Sequence, residues 1–338
     1  MSSNSSSEAL SKAFHRRSAS GAVLALAVAA VIGAFIGAGL TRLSRHDMPA
    51  ARAASQPPGE RSTSGEEWLA RLSTASWKDL GTSDRQEWTH AAAQSKPLRA
   101  ELIRRYAKER DKDEGIALRD ALAEISTPDV VAAALQLADS STAAERAAGL
   151  RLLVRFPPNL KAYEIARRLL PVERDPAVLA GALMNLRPEE LPSSSESRAM
   201  VAQIVSFIHH ADPMVRAHSI QMLAEWDKEG AVAAPAVLEA LSAPDPLVRQ
   251  AAVGAVMVGQ LRSEALKKAM VKLLSRPGED IVTKGGVLQA LERFPLSDEE
   301  HAVFLSTQRE LERASSPEPP PGDSRQVSAA REGPSGPR

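Results

Sequence analysis

Asp212-Pro213-Met214-Val215-Arg216 is answered 33 residues later by Asp245-Pro246-Leu247-Val248-Arg249, and each copy runs on into small and aliphatic residues. Every part of the phrase has a physical task. The Asp carboxylate accepts from the amides that a first helical turn leaves without partners. Proline at the first helical position gives up a donor that has no use there, and its φ is already helical. Valine then opens an apolar stripe. A unit recurring every 30–40 residues marks a solenoid of stacked supersecondary elements.

Degenerate copies extend the pattern in both directions. Thr142, Asp175 and Asp280 occupy the capping position without the full phrase, so the spacings from 142 through 175, 212 and 245 to 280 are 33, 37, 33 and 35 residues. Eight and eleven residues beyond each cap stand Leu150 and Leu153, Leu183 and Leu186, Ile220 and Leu223, Val253 and Val256, Leu288 and Leu291. Small residues lie between them, among them Ala147, Ala148, Gly181, Ala217, Ala251, Gly285 and Gly286. They allow a neighbouring helix to come close. Apolar spacing predicts a further helix ahead of each cap, over 128–138, 160–170, 197–209, 231–241 and 264–274. Pro235 should kink the fourth of these or mark its first turn. Ser297 and Glu300 have the spacing of a capping box at the start of a last helix. No useful stretch alternates with period two, so no sheet is expected.

A first helix such as Ala231-Val-Ala-Ala-Pro235-Ala-Val-Leu-Glu-Ala240-Leu, followed by a second opening Asp-Pro-x-Val-Arg, resembles HEAT repeats. The nearest flavour is the short, phycobilisome-lyase type. The resemblance covers about residues 128–294 and is sharpest from 200 to 260. It weakens where Leu179 and Lys284 replace the arginine and where Thr142 lacks the proline. It implies an all-α solenoid of about five helix pairs, with second helices lining a concave surface. It also implies that Asp175, Asp212, Asp245 and Asp280, with Arg146, Arg216 and Arg249, act first in capping and stacking. Arg216, Gln221, Arg249, Gln250 and Lys284 are the polar residues it would place on the concave face as partner contacts.

Composition narrows the function. Lysine plus arginine equals aspartate plus glutamate at 42 each, and residues 65–311 hold 31 basic against 35 acidic side chains. The basic footprint of a nucleic-acid binder is missing. There is no cysteine, which removes disulfides, thiol catalysis and cysteine-ligated zinc. His209, His210, Asp212 and His218 have metal-ligand chemistry, but neighbouring histidines on a helix point about 100° apart and Asp212 is needed as a cap. No nucleophile elbow, phosphate loop or dinucleotide fingerprint is present. Neither a catalytic residue nor a cofactor is expected.

Residues 21–40, GAVLALAVAAVIGAFIGAGL, carry no charge and are long enough to span a bilayer, which needs about 20 residues. A cleaved signal peptide has a shorter apolar core, and the nearest Ala-x-Ala, at Ala51-Arg52-Ala53, lies well downstream. The reading is an uncleaved single-pass anchor in the inner membrane, with the helical domain outside the cytoplasm, in the periplasm of a Gram-negative cell. Ala29, Gly33 and Gly37 recur every four residues and offer a homodimer contact between spans. The chain then divides into a cytoplasmic tail (1–20), the span (21–40), a flexible linker (41–64), a helical capping region (65–125), the repeat domain (126–311) and a tail (312–338) too polar to fold. The capping region holds Trp68, Trp77 and Trp88, either to cover the first repeat or to form a recognition surface. The functional expectation is a membrane-anchored scaffold for a protein partner. The alternative is a HEAT-type enzyme, a lyase or a nucleic-acid enzyme, which the anchor and the balanced charge disfavour.

Overall fold

Each second helix begins where a side chain takes up the amides of its first turn. In the computed structural model, which describes residues 67–68, 70, 81–109, 113–187 and 194–315, Asp212 Oδ1 accepts from the amides of Met214 and Val215 at 2.8 and 3.1 Å. Asp175 does the same for Ala177 and Val178. Asp245 caps Leu247, Asp280 caps Thr283, and Thr142 caps Glu145. The run 21–40 with Ala29, Gly33 and Gly37, the linker, Trp77 and the tail beyond Ser315 lie outside the described residues. Among the described residues no helix is long and apolar enough to cross a membrane.

The described residues form fourteen helices and no strand. Three come first: α1 (Thr82–Gln94), α2 (Lys96–Glu109) and α3 (Asp113–Ile125). Five pairs follow. They are α4 (Pro128–Ala138) with α5 (Ala143–Leu153), α6 (Leu160–Leu169) with α7 (Pro176–Met184), α8 (Ser194–Val205) with α9 (Pro213–Trp226), α10 (Ala233–Ala240) with α11 (Pro246–Val258), and α12 (Glu264–Leu274) with α13 (Ile281–Leu291). Helix α14 (Asp298–Ser315) closes the stack against α12 and α13, and its start carries the reciprocal Ser297–Glu300 capping box. Lys267 reaches Glu300 at 3.0 Å and Lys284 reaches Glu310 at 2.9 Å, tying α14 down.

All ten residues at offsets eight and eleven are buried in one hydrophobic core. Burying each such side chain contributes about 1.5–3 kcal/mol. Glycine sets how closely the first pair can approach. A Cβ on Gly149 would lie 2.2 Å from the Ala138 nitrogen and 2.6 Å from the Ala134 oxygen, so α4 and α5 meet backbone to backbone. Pro235 falls in the first turn of α10, where its missing donor costs nothing. The helix expected over 197–209 differs. It starts at Ser194 and ends at Val205, after which the amides of Phe207, Ile208 and His210 bond three residues back in tighter turns. Asp212 precedes a proline and must be extended, so the chain leaves helical geometry ahead of it.

Successive second helices pack closely along the array, whereas the first helices touch their counterparts sparsely. The capping region is built around Trp68 and Trp88, both fully buried, so these two serve the core rather than an exposed recognition surface. Helices α2 and α3 pack on each other and lie over α4 and α5 respectively, and the Tyr106 hydroxyl donates to the Ala148 carbonyl at 2.9 Å.

Candidate functional site

The second-helix face is the surface made by α3, α5, α7, α9, α11 and α13. Two depressions mark it, and His218 stands on the wall they share. The first lies between α9, α11 and α13, where Gln221 and Gln250 flank Leu247 and Val282. Its free volume is only about 30 Å³, so the glutamines present a surface and not a pocket. His218 is held by Gln221 Oε1 at 3.3 Å from its Nδ1. Burial pushes its pKa below the usual histidine value, which keeps a neutral imidazole there at physiological pH.

A larger trough of about 660 Å³ crosses α3, α5, α7 and the start of α9. Its floor is low because α7 carries only Ala177, Ala180 and Gly181 on this side, with Met184 and Met214 bordering them. Arg119, Arg151 and Arg155 line one end and the capping residues Asp175 and Asp212 the other. The caps have their charge balanced by the positive ends of α7 and α9. Asp120 pairs with Arg119 at 3.1 Å and more loosely with Arg155 at 3.7 Å. The motif could not foretell these arginines, since α3 and the end of α5 lie outside the repeated phrase. The only hint was the small-residue run of the α7 copy.

The arginines of the repeat have a different task. Arg249 is almost fully buried, donates from Nη1 to the Ala243 and Pro244 carbonyls, and grips Glu279 with Nε and Nη2, both at 2.8 Å. Arg146 repeats the grip with the Ser140 and Ser141 carbonyls behind it and Glu173 ahead. Lys284 is buried against Glu310. This geometry takes Arg249 and Lys284 off any open binding surface. Arg216 holds the His210 and Ala211 carbonyls at 2.7 and 2.8 Å and stays partly exposed. Of the five residues read as partner contacts, Gln221, Gln250 and Arg216 remain available.

The histidines do not converge. His209 faces Glu239 at 3.7 Å with both exposed, His210 Nδ1 accepts from the Asp212 amide at 3.1 Å, and His218 pairs with Gln221. Among the described residues no group of three or more histidines and carboxylates could hold a metal ion.

Sequence reasoning missed a row of side chains at the other end of the second helices. Asn185 donates to the Leu150 carbonyl, Arg187 to Val154, Trp226 to Leu186 and Arg293 to Met257, each across one layer at 2.8–3.1 Å. They serve carbonyls near helix ends, where the helix leaves acceptors open, although the Leu150 carbonyl also accepts from the Val154 amide at 3.2 Å.

Comparison with known proteins agrees with the repeat geometry over part of the chain: residues 201–292, from α8 to the end of α13, match the family model of HEAT repeats. Comparison with curated proteins gives no match.

Proposed function

We propose that this chain is a membrane-anchored scaffold whose second-helix face binds a protein partner. The observation that carries the reading is the shape of that face. Between α9 and α13 it is shallow, with a depression of only about 30 Å³ beside Gln221 and Gln250. Side chains from successive layers align along such a face, which suits an extended partner. The arginine-ended trough over α7 continues it toward the capping region. A membrane anchor in the run 21–40, with Gly33 and Gly37 as a dimer contact, would hold the array beside the bilayer with the repeats outside the cytoplasm.

The test is charge placement on the face. Gln221→Glu and Gln250→Lys in the full chain should fold normally by circular dichroism, since neither glutamine is needed for capping or stacking. Both should lose the partners that cross-linking in native membranes attaches to the parent. Variants that fold and cross-link as the parent does would move the binding surface away from the second-helix face. Reporter fusions at the C-terminus test the anchor separately: activity of a cytoplasm-only reporter would reverse the topology.

A further inference from the structure

The array contains its own controls for what an arginine at the fourth position past a cap requires. Arg146 and Arg249 each fix Nη1 on the two carbonyls before their own cap and offer the Nε–Nη2 edge to the next layer. That edge is filled by Glu173, two residues before the cap Asp175, or by Glu279, one residue before the cap Asp280. Arg99 shows the same division: Nη1 on the Ala92 and Ala93 carbonyls and Nε on Asp129 at 2.7 Å. Arg216 is anchored as the others are, by the His210 and Ala211 carbonyls. The residues one and two before the next cap, Asp245, are Pro244 and Ala243, and neither can supply a carboxylate. Asp212, the acid closest to Arg216 in sequence, is committed to capping α9. Among the described residues Arg216 forms no ion pair.

We infer that the free edge of Arg216 is a docking point for a glutamate or aspartate side chain of the bound protein. A guanidinium whose orientation is already fixed by two carbonyls loses little freedom on gripping a carboxylate, and the bidentate geometry is specific. The sister junctions show that a glutamate fits this edge at 2.5–3.0 Å. That the occupant is a protein rests on the scaffold reading above. The open edge itself does not.

Two experiments on the full chain in detergent test it. In the first, Pro244→Glu and Ala243→Glu place a carboxylate where Glu279 and Glu173 stand at the other junctions. At least one should raise the melting temperature by about 2–4 °C, the shift for about 1 kcal/mol in an array of this size, and Arg216→Gln should cancel the gain. If neither substitution stabilises through Arg216, the edge is not presented as inferred and the proposal falls. In the second, the probes are random 12-residue peptides carrying a central glutamate, glutamine or phosphoserine. The parent should retain the glutamate set about tenfold better than the glutamine set. Arg216→Gln should abolish that preference, and so should the stabilising glutamate variant. Equal retention of glutamate and glutamine, a preference for phosphoserine, or a glutamate preference that survives Arg216→Gln would each overturn it. The scaffold reading fails by a different sign: Gln221 and Gln250 variants keep every membrane partner while the glutamate preference at Arg216 persists.

Discussion

The second helices have two ends, and the stack is joined differently at each. At the amino ends the joints are ionic: capping aspartates and arginines gripping a carboxylate of the next layer, as in Arg249 with Glu279. At the carboxyl ends most joints are neutral acceptors met by a donor one layer on, as in Trp226 with the Leu186 carbonyl. Both ends satisfy groups that helix termini leave open. They differ in what failure costs. An ionic joint that loses one partner strands a charge in the interior, whereas a neutral joint strands only a dipole.

That difference gives the largest expected effect. Arg249 and Glu279 have side-chain exposures of 7% and 0%. Arg249→Leu should destabilise the array by about 3–5 kcal/mol, because Glu279 is left buried with only the more distant Arg276, at 4.0 Å, as counter-charge. Converting Glu279 to leucine as well should recover much of the loss, since an apolar pair of similar volume removes the stranded charge. Denaturant titration of the three variants checks this. Arg216→Leu, at the junction without a carboxylate, should cost under about 1 kcal/mol. Equal costs at the two junctions would remove the distinction between them.

The carboxyl-end joints should break more gently. Trp226→Phe keeps an aromatic ring beside Tyr163, which Trp226 stacks on at 6.3 Å between centroids, but removes the N–H that serves the Leu186 carbonyl together with part of the buried bicyclic ring. The expected cost is about 1–3 kcal/mol, the range for a buried group that loses its hydrogen-bond partner. Asn185→Leu should behave alike at the junction below, where one amide group serves the Leu150 and Gly181 carbonyls. A neutral outcome for both would mean that packing alone joins this end.

The two ends were unequally legible for the same reason. Capping is local: Asp212 acts on amides two and three residues away, so the phrase Asp-Pro-x-Val-Arg contains everything needed to place it. The helical period around Leu223 and Val253 is local too, and both are buried. The carboxyl-end donors act across 33–40 residues, as Arg187 does on Val154 and Trp226 on Leu186, and no spacing within a repeat announces them. The candidate face suffered from the same horizon. Lys284 read as a partner contact, and Arg249 as a stacking residue first and a contact second, with no partner named for either, because Glu310 and Glu279 lie 26 and 30 residues on and outside the phrase. Among the described residues Gln221 and Gln250 have no such distant partner. The trough arginines Arg119, Arg151 and Arg155 line a space that the small residues of α7 leave open, and Asp120 bridges two of them.

Acid should separate the ends with the smallest effect and opposite signs. At the amino end, burial alone would raise the pKa of Glu173. The amides of Asp175 and Arg174 and the Arg146 guanidinium outweigh it and hold the value below the ordinary 4.5. A carboxylate depressed in the folded state contributes stability that is present above 4.5 and is lost as pH falls below it. Glu225, near the carboxyl end of α9, is raised above 4.5 by burial, which the attraction of Arg187 and Lys228 does not offset. Its charge therefore costs stability at neutral pH, and the cost disappears as pH falls toward 4.5 through the folded-state value. Glu173→Gln should melt below the parent at pH 7 and approach it only under more acid conditions than 4.5. Glu225→Gln should melt above the parent at pH 7, and that gap should narrow before pH 4.5 is reached. Each pKa unit corresponds to about 1.4 kcal/mol, so thermal scans from neutral to acid pH resolve shifts of a fraction of a unit. Differences of the same sign for both variants would show that the two ends do not divide the electrostatics in this way, and the neutral character assigned to the carboxyl-end joints would have to be given up.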